Sequence, residues 1–255
     1  NSPARAVAEN ERLESHDSAR WLLNIAHMVL GEYPDGVPDA YRVPPKFFQS
    51  DVEFPEFRNI LPSLKMDTFN LCGGVVVDDL DGDLDLDIIT CTWDVTGQSR
   101  VFRNNADGTF SDVTDASGLS GFYGGLNINQ ADYDNDGDLD LFVMRGAWLQ
   151  HAGKHPNSLL RNDGGLKFTD VTFDVGLAEP MAPTKTAAWA DYDNDGDLDL
   201  YVGHESTAAG VYTGIAVDQP LSVPCQLFRN DGDDGFTDVA AEAGVADEQF
   251  SMGAV

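Results

Sequence analysis

"DYDNDGDLDL" fills Asp132–Leu141 and returns unchanged at Asp191–Leu200, and a looser copy, "DLDGDLDLDI", runs from Asp79 to Ile88. Each copy places five aspartates within nine residues. Unit charges about 4 Å apart repel by about 1 kcal/mol even in bulk water, so such a stretch needs something positive among its carboxylates. The pattern is D-x-D-x-D-G-x-x-D. Carboxylates at alternate positions of a tight loop converge on one centre, and a glycine at the sixth position permits the sharp turn. That is how a chain surrounds a hard cation with oxygen; calcium takes about six to eight such ligands. The second loop would supply Asp132, Asp134, Asp136 and Asp140 by side chain and Asp138 by its carbonyl. The third would supply Asp191, Asp193, Asp195 and Asp199, with Asp197 by its carbonyl. In the first, the same roles fall to Asp79, Asp81, Asp83 and Asp87, with Asp85 by its carbonyl. About three calcium sites are therefore expected. The pattern is not an EF-hand. That motif needs a glutamate at its twelfth position and a helix after it, whereas these loops have Thr90, Val143 and Val202 there, followed by strand-like residues.

The first loop departs from its siblings. Leu84 stands where the others have Gly137 and Gly196. If that position needs a positive φ, leucine is strained there, although Gly82 is a candidate to ease the turn.

A second motif alternates with the acidic one. It reads "VFRNNADGTFSDVTDASGL" from Val101, "LLRNDGGLKFTDVTFDVGL" from Leu159 and "LFRNDGDDGFTDVAAEAGV" from Leu227. "RNNADG" and "RNDGG" are turn signals between apolar runs, so each reads as a hairpin. "LFVM" and "LYVG", just after the acidic loops, read as buried strands. A unit of roughly 60 residues with about four short strands matches one propeller blade. Phe110, Phe168 and Phe236 are expected in blade cores. The recurring pairs Arg103/Asn104, Arg161/Asn162 and Arg229/Asn230 are expected to hold a turn or bridge to a neighbouring acidic loop. The fold expected is all-β, about four blades in an incomplete array, with a short α-helical N-terminal segment.

Residues 4–30 have helical composition and spacing, with Gly31 as a stop. The Pro-rich "EYPDGVPDAYRVPP" follows. Residues 1–46 are thus expected as a helical lead-in and linker, and 47–255 as the blade domain. From Phe110 to the loop at Asp132 is 22 residues and from Phe168 to Asp191 is 23, so the count from Phe236 places a fourth loop just past Val255.

The two motifs, alternating in fixed order, resemble the FG-GAP/VCBS repeat of integrin α-subunit-like propellers. They resemble more closely the repeats of cartilage-acidic-protein-like chains, which often carry ASPIC/UnbV regions. The resemblance spans roughly residues 47–255. It implies a calcium-stabilised β-propeller of seven or eight blades that is secreted, periplasmic or at the cell surface.

Composition narrows the partners. Forty-four acids against 15 bases give a net charge of −29. Phosphate neutralisation needs clustered Lys and Arg, so nucleic acid is excluded. The most apolar stretch, residues 21–30, is about half the length that crosses a bilayer. A binding or adhesion module for a protein or carbohydrate ligand is the leading expectation. The alternatives are a calcium-dependent polysaccharide lyase or hydrolase, and a subunit of a larger surface assembly with other chains. An enzyme would draw on His151, His155 and His204; no hydrolase, P-loop or dinucleotide fingerprint is present. Cys72 and Cys91 flank the first acidic loop, where either a disulfide or small buried thiols would fit.

Overall fold

The computed structural model describes residues 17–50, 52–53, 55, 57–68, 71–147, 149–206 and 221–248. The chain divides into two compact units, Asn1–Arg58 and Asn59–Val255, against an expected boundary after residue 46. The expected fourth loop lies beyond the described residues.

In the first unit, residues 17–29 form helix α1; residues 4–16 of the expected helix lie outside the described residues. Gly31 ends α1 with φ 73°, a left-handed conformation that only glycine adopts without strain. The Pro-rich segment is not a free linker. Asn24, fully buried, donates to the Tyr41 carbonyl at 2.9 Å and accepts from Val43 N–H at 3.0 Å. Arg20 donates to the carbonyls of Tyr41 and Arg42. Polar side chains of the helix thus satisfy backbone that prolines keep out of regular ladders.

The second unit holds three four-stranded antiparallel sheets among the described residues. The first is β1 (Val75–Asp78), β2 (Asp87–Thr90), β3 (Arg100–Asn104) and β4 (Phe110–Asp112). The second is β5 (Asn127–Ala131), β6 (Asp140–Met144), β7 (Ser158–Asn162) and β8 (Phe168–Asp170). The third is β9 (Thr184–Ala190), β10 (Asp199–His204), β11 (Gln226–Asn230) and β12 (Phe236–Asp238). In each sheet the strands lie side by side in chain order, as in propeller-like blades.

Period two decides the packing. Every residue of β6 is buried. Leu141 and Val143 face the first sheet, where they meet Val76, Ile89 and Val101. Phe142 and Met144 face the third, where they meet Leu200, Val202 and Phe228. A strand covered on both faces reads as a continuous apolar run, which is why "LFVM" shows no alternation. Phe168 and Phe236 lie in these two cores as expected, but Phe110 is only half-buried. It belongs to the first sheet, where Val75 is 57% exposed while its counterpart Ile128 in the second sheet is 6% exposed. Only one face of the first sheet is packed on another sheet among the described residues.

The acidic loops join the first and second strands of each sheet, at one end of the blades. They span residues 79–86, 132–139 and 191–198, eight residues each. The third-to-fourth strand turns are also constant at that end, at five residues each (105–109, 163–167, 231–235). At the opposite end, the second-to-third strand connections vary: 91–99 is nine residues, 145–157 is 13 and 205–225 is 21.

Each acidic loop turns on two left-handed residues. The fourth position is Gly82, Asn135 or Asn194, with φ 77°, 59° and 63°; the sixth is Leu84, Gly137 or Gly196, with φ 73°, 95° and 101°. Leu84 is strained as expected. Gly82 cannot relieve it, because Gly82 fills the other left-handed position. Leu84 is 90% exposed, so no packing compensates.

Two outcomes follow for equilibrium unfolding in urea. Leu84→Gly should raise stability by about 0.5–1 kcal/mol, strain relief exceeding the added freedom of the unfolded chain; a loss of stability would contradict the strain. Phe142→Ala should cost about 3–5 kcal/mol, as for a large buried side chain whose cavity cannot collapse. A cost near that of a surface residue would refute the shared core between the second and third sheets.

Candidate metal centres

The last aspartate of each loop opens the second strand and is buried: Asp87, Asp140 and Asp199 are at most 1% exposed. Each uses both oxygens. One accepts the N–H of the loop's second residue, from Leu80 at 3.3 Å, Tyr133 at 3.2 Å and Tyr192 at 2.9 Å. The other accepts the N–H of the third strand's asparagine, from Asn104 and Asn162 at 2.8 Å and Asn230 at 2.9 Å. The asparagine of each Arg-Asn pair is therefore a bridge, one of the two tasks expected of it. The arginines pair within their own turns, Arg161 with Asp163 and Arg229 with Asp231, both at 2.7 Å, and they also act electrostatically on the loop aspartates Asp134 and Asp193.

The first aspartate organises the turn. Asp79 accepts the N–H groups of Gly82, Asp83 and Leu84. Asp191 accepts those of Asp195 and Gly196, and Asp132 that of Gly137. The fifth-position aspartates Asp83, Asp136 and Asp195 each accept the N–H of the seventh residue at 2.9 Å. One contact links neighbouring loops: Nδ2 of the fourth-position Asn135 donates to Oδ1 of the seventh-position Asp197 at 2.8 Å.

Three carboxylates converge in every loop. Asp79, Asp81 and Asp87 form one group; Asp132, Asp134 and Asp136 a second; Asp191, Asp193 and Asp199 a third. In each, one oxygen per residue lies within 4.8 Å of the others. Of the four side-chain ligands expected per loop, Asp83, Asp140 and Asp195 stand outside these groups. So do the side chains of Asp85, Asp138 and Asp197, which were expected to act through their carbonyls. The groups can hold a metal ion. Asp132 Oδ1 is buried with no hydrogen-bond partner. A buried carboxylate oxygen without a partner is costly, and a cation among these acids would satisfy it. The donors are all oxygen, which suits a hard cation such as calcium or magnesium.

The electrostatics point the same way. Burial pushes Asp140 up to about 7, with Asp134 and Asp136 adding to the rise. Burial also raises Asp87 and Asp199. Asp81 is raised by burial and then by Asp83, and Asp134 by burial and then by Asp136. The fold holds carboxylates where ionisation is opposed, and a nearby cation reverses that opposition.

The other candidates resolve differently. His204 is buried, with Nδ1 at 3.0 Å from Thr184 Oγ1 and Nε2 at 2.9 Å from Gln226 Oε1; burial lowers its pKa. It is a structural imidazole with both nitrogens occupied. His151 and His155 are exposed on a connection that includes a short 3₁₀ turn. None of the three cysteines is in a disulfide: Cys72 is exposed, Cys91 and Cys225 are buried. Cys91 Sγ instead meets Gly74 N–H at 3.2 Å. One cleft had no sequence signal. It lies at the end opposite the acidic loops and is lined by Trp93, Tyr123, Gly125, Arg145 and His155 among others. Its residues come from three separate connections that only the fold brings together.

Comparison with known proteins follows this geometry. A family model described as FG-GAP-like repeat matches residues 79–143 and 148–202. Cartilage acidic protein 1 of Xenopus tropicalis is 32% identical over 107 residues, covering 41% of this chain and 16% of that protein. The human protein of the same name is 29% identical over 118 residues, covering 44% of this chain and 17% of its own length. The matched segment is thus about a sixth of these relatives. The first match starts at an acidic loop, the second starts in the connection after β6, and both end within the second strand of a sheet, so the repeat in sequence is out of phase with the blade in space. By its alternating acidic loops, its four-stranded sheets and these matches, the chain is an FG-GAP repeat protein.

Proposed function

We propose that the three acidic loops bind calcium, and that the chain is part of an extracellular, calcium-stabilised propeller acting as a binding or adhesion module. The observation that carries the reading is the threefold recurrence of a convergent carboxylate group at the same place in each blade. Calcium is favoured over magnesium because magnesium seldom uses cages built wholly from protein ligands. The ion is structural: it offsets the repulsion within each group and pins the loop on which two strands depend. An extracellular setting suits a calcium-dependent fold. No helix among the described residues is long and apolar enough to cross a membrane.

A protein or carbohydrate ligand would be met at the end away from the acidic loops, where connection lengths vary and where Trp93, Tyr123 and Arg145 line a cleft. An aromatic and guanidinium lining suits binding. The polysaccharide-acting alternative loses His204 as a reactive group, since that ring is buried and saturated.

Two measurements test the calcium reading. Saturating calcium should raise the melting temperature relative to excess EDTA; one site filled at about 100 times its Kd adds about 2.7 kcal/mol. Indifference to EDTA would end the idea. Asp134→Asn should leave the melt in EDTA unchanged or slightly higher, because it relieves repulsion, while removing one site's share of the calcium increment. An unchanged increment would exclude Asp134 from the site.

A further inference from the structure

Each of the first two acidic loops carries a contact from the blade that follows it. Asn162 Nδ2 donates to the Leu80 carbonyl at 2.8 Å, and Asn230 Nδ2 to the Tyr133 carbonyl at 2.8 Å. Leu80 lies between Asp79 and Asp81, and Tyr133 between Asp132 and Asp134, so each contact falls inside a carboxylate group. Both asparagines are buried, Asn162 fully and Asn230 to 3% exposure. Their backbone N–H groups are held by Asp140 and Asp199.

The bonds form an unbroken path. Asp199, a member of the third group, holds Asn230; Asn230 holds Tyr133 of the second loop. Tyr133 N–H is held by Asp140, which also holds Asn162, and Asn162 holds Leu80 of the first loop. Leu80 N–H returns to Asp87 of the first group.

We propose that Asn162 and Asn230 are positioning residues for the cation loop of the preceding blade, so that neighbouring loops fill cooperatively. The proposal rests on the calcium reading above. Without a cation the clustered carboxylates repel and the loop relaxes. A cation in the third loop fixes Asp199, and through Asn230 it fixes the Tyr133 carbonyl, pre-paying part of the ordering of the second loop. A buried asparagine bonded at both backbone and side chain cannot exchange these partners for water, so movement at one end is felt at the other. The second and third loops have an additional link, the bond from Asn135 Nδ2 to Asp197 Oδ1. The first loop has Gly82 at the position of Asn135 and cannot make it. Coupling between the second and third loops therefore exceeds coupling between the first and second.

The test is calorimetric calcium titration of the whole chain, paired with melts in EDTA. The parent should show a steep phase with a Hill coefficient above one. Asn135→Gly removes an exposed side chain at φ 59°, where glycine is at ease, so its melt in EDTA should not fall. Its Hill coefficient should fall towards one, and the affinity of the coupled sites should drop about five-fold or more. Asn230→Ala should have the larger effect, and by reciprocity Asp193→Asn in the third loop should weaken the second. Parent-like titrations of Asn135→Gly and Asn230→Ala, with calcium still bound, would overturn the coupling and leave the calcium sites standing. A parent that takes up no calcium would overturn both readings.

Discussion

A carboxylate buried at the start of each second strand ties together the pieces of a blade. Asp87, Asp140 and Asp199 each accept one N–H from the acidic loop and one from the third strand. The loop, the second strand and the third strand thereby share one side chain. Removing an ion from water costs several kcal/mol, repaid only when its oxygens are well bonded. Two backbone bonds repay part of this, and the raised pKa of Asp140, about 7, shows that they do not repay all of it. The remaining deficit lies beside three convergent carboxylates. Loop and clamp are thus a single electrostatic problem, and a cation would resolve both halves of it.

The exposed ion pairs do not solve that problem. Arg161 with Asp163 and Arg229 with Asp231 are local pairs with side chains 26–40% exposed. Pairs of this kind contribute at most about 1 kcal/mol. They rigidify the five-residue turns, and although Arg161 also favours ionisation of Asp134, burial and Asp136 still hold that carboxyl above its ordinary range. With 44 acids against 15 bases, the protein has few side chains of its own to supply the missing charge, and on the proposed reading a cation from solution supplies it.

Much of this was legible in the sequence, for reasons that can be traced to residues. The second strands were legible because both faces of Leu141–Met144 are covered, which forces an apolar run. The hairpins were legible because "RNDG" turns need their own chemistry. The first strand of the second blade was not. "NINQA" has a single large apolar residue, Ile128, and its polar side chains bond to neighbouring blades. Asn129 donates to the Ala187 carbonyl and accepts from Trp189 Nε1–H, and Gln130 donates to Asp78. A polar strand that is satisfied by other blades looks like loop when read alone. Nor could spacing separate the roles of the aspartates. Asp136 and Asp140 have the same side chain, but Asp136 is exposed within the convergent group while Asp140 is buried as the clamp. In the first and third loops the buried clamps Asp87 and Asp199 also join the convergent groups, so position in the motif alone does not fix the role. The strain at Leu84 was legible because one glycine was missing from an otherwise regular frame.

The two ends of the blades are under different constraints. At the acidic end, recurring bonds fix geometry: the clamp ties the second loop residue and the third-strand asparagine to one carboxylate, and that asparagine's Oδ1 accepts the N–H two residues on, from Ala106, Gly164 and Gly232 within the turns. Loop and turn lengths are accordingly constant at eight and five residues. At the opposite end no such clamp recurs, and the second-to-third strand connections run from nine to 21 residues. Variation is tolerated where the backbone is not tied down. Such variation is what a repeat scaffold needs if its blades are to differ in what they recognise. The acidic loops that dominate the sequence therefore describe how the protein is held together. On the proposed reading, its selectivity would belong to the connections that the repeat pattern does not specify, among them those that bring Trp93, Tyr123 and Arg145 to one cleft.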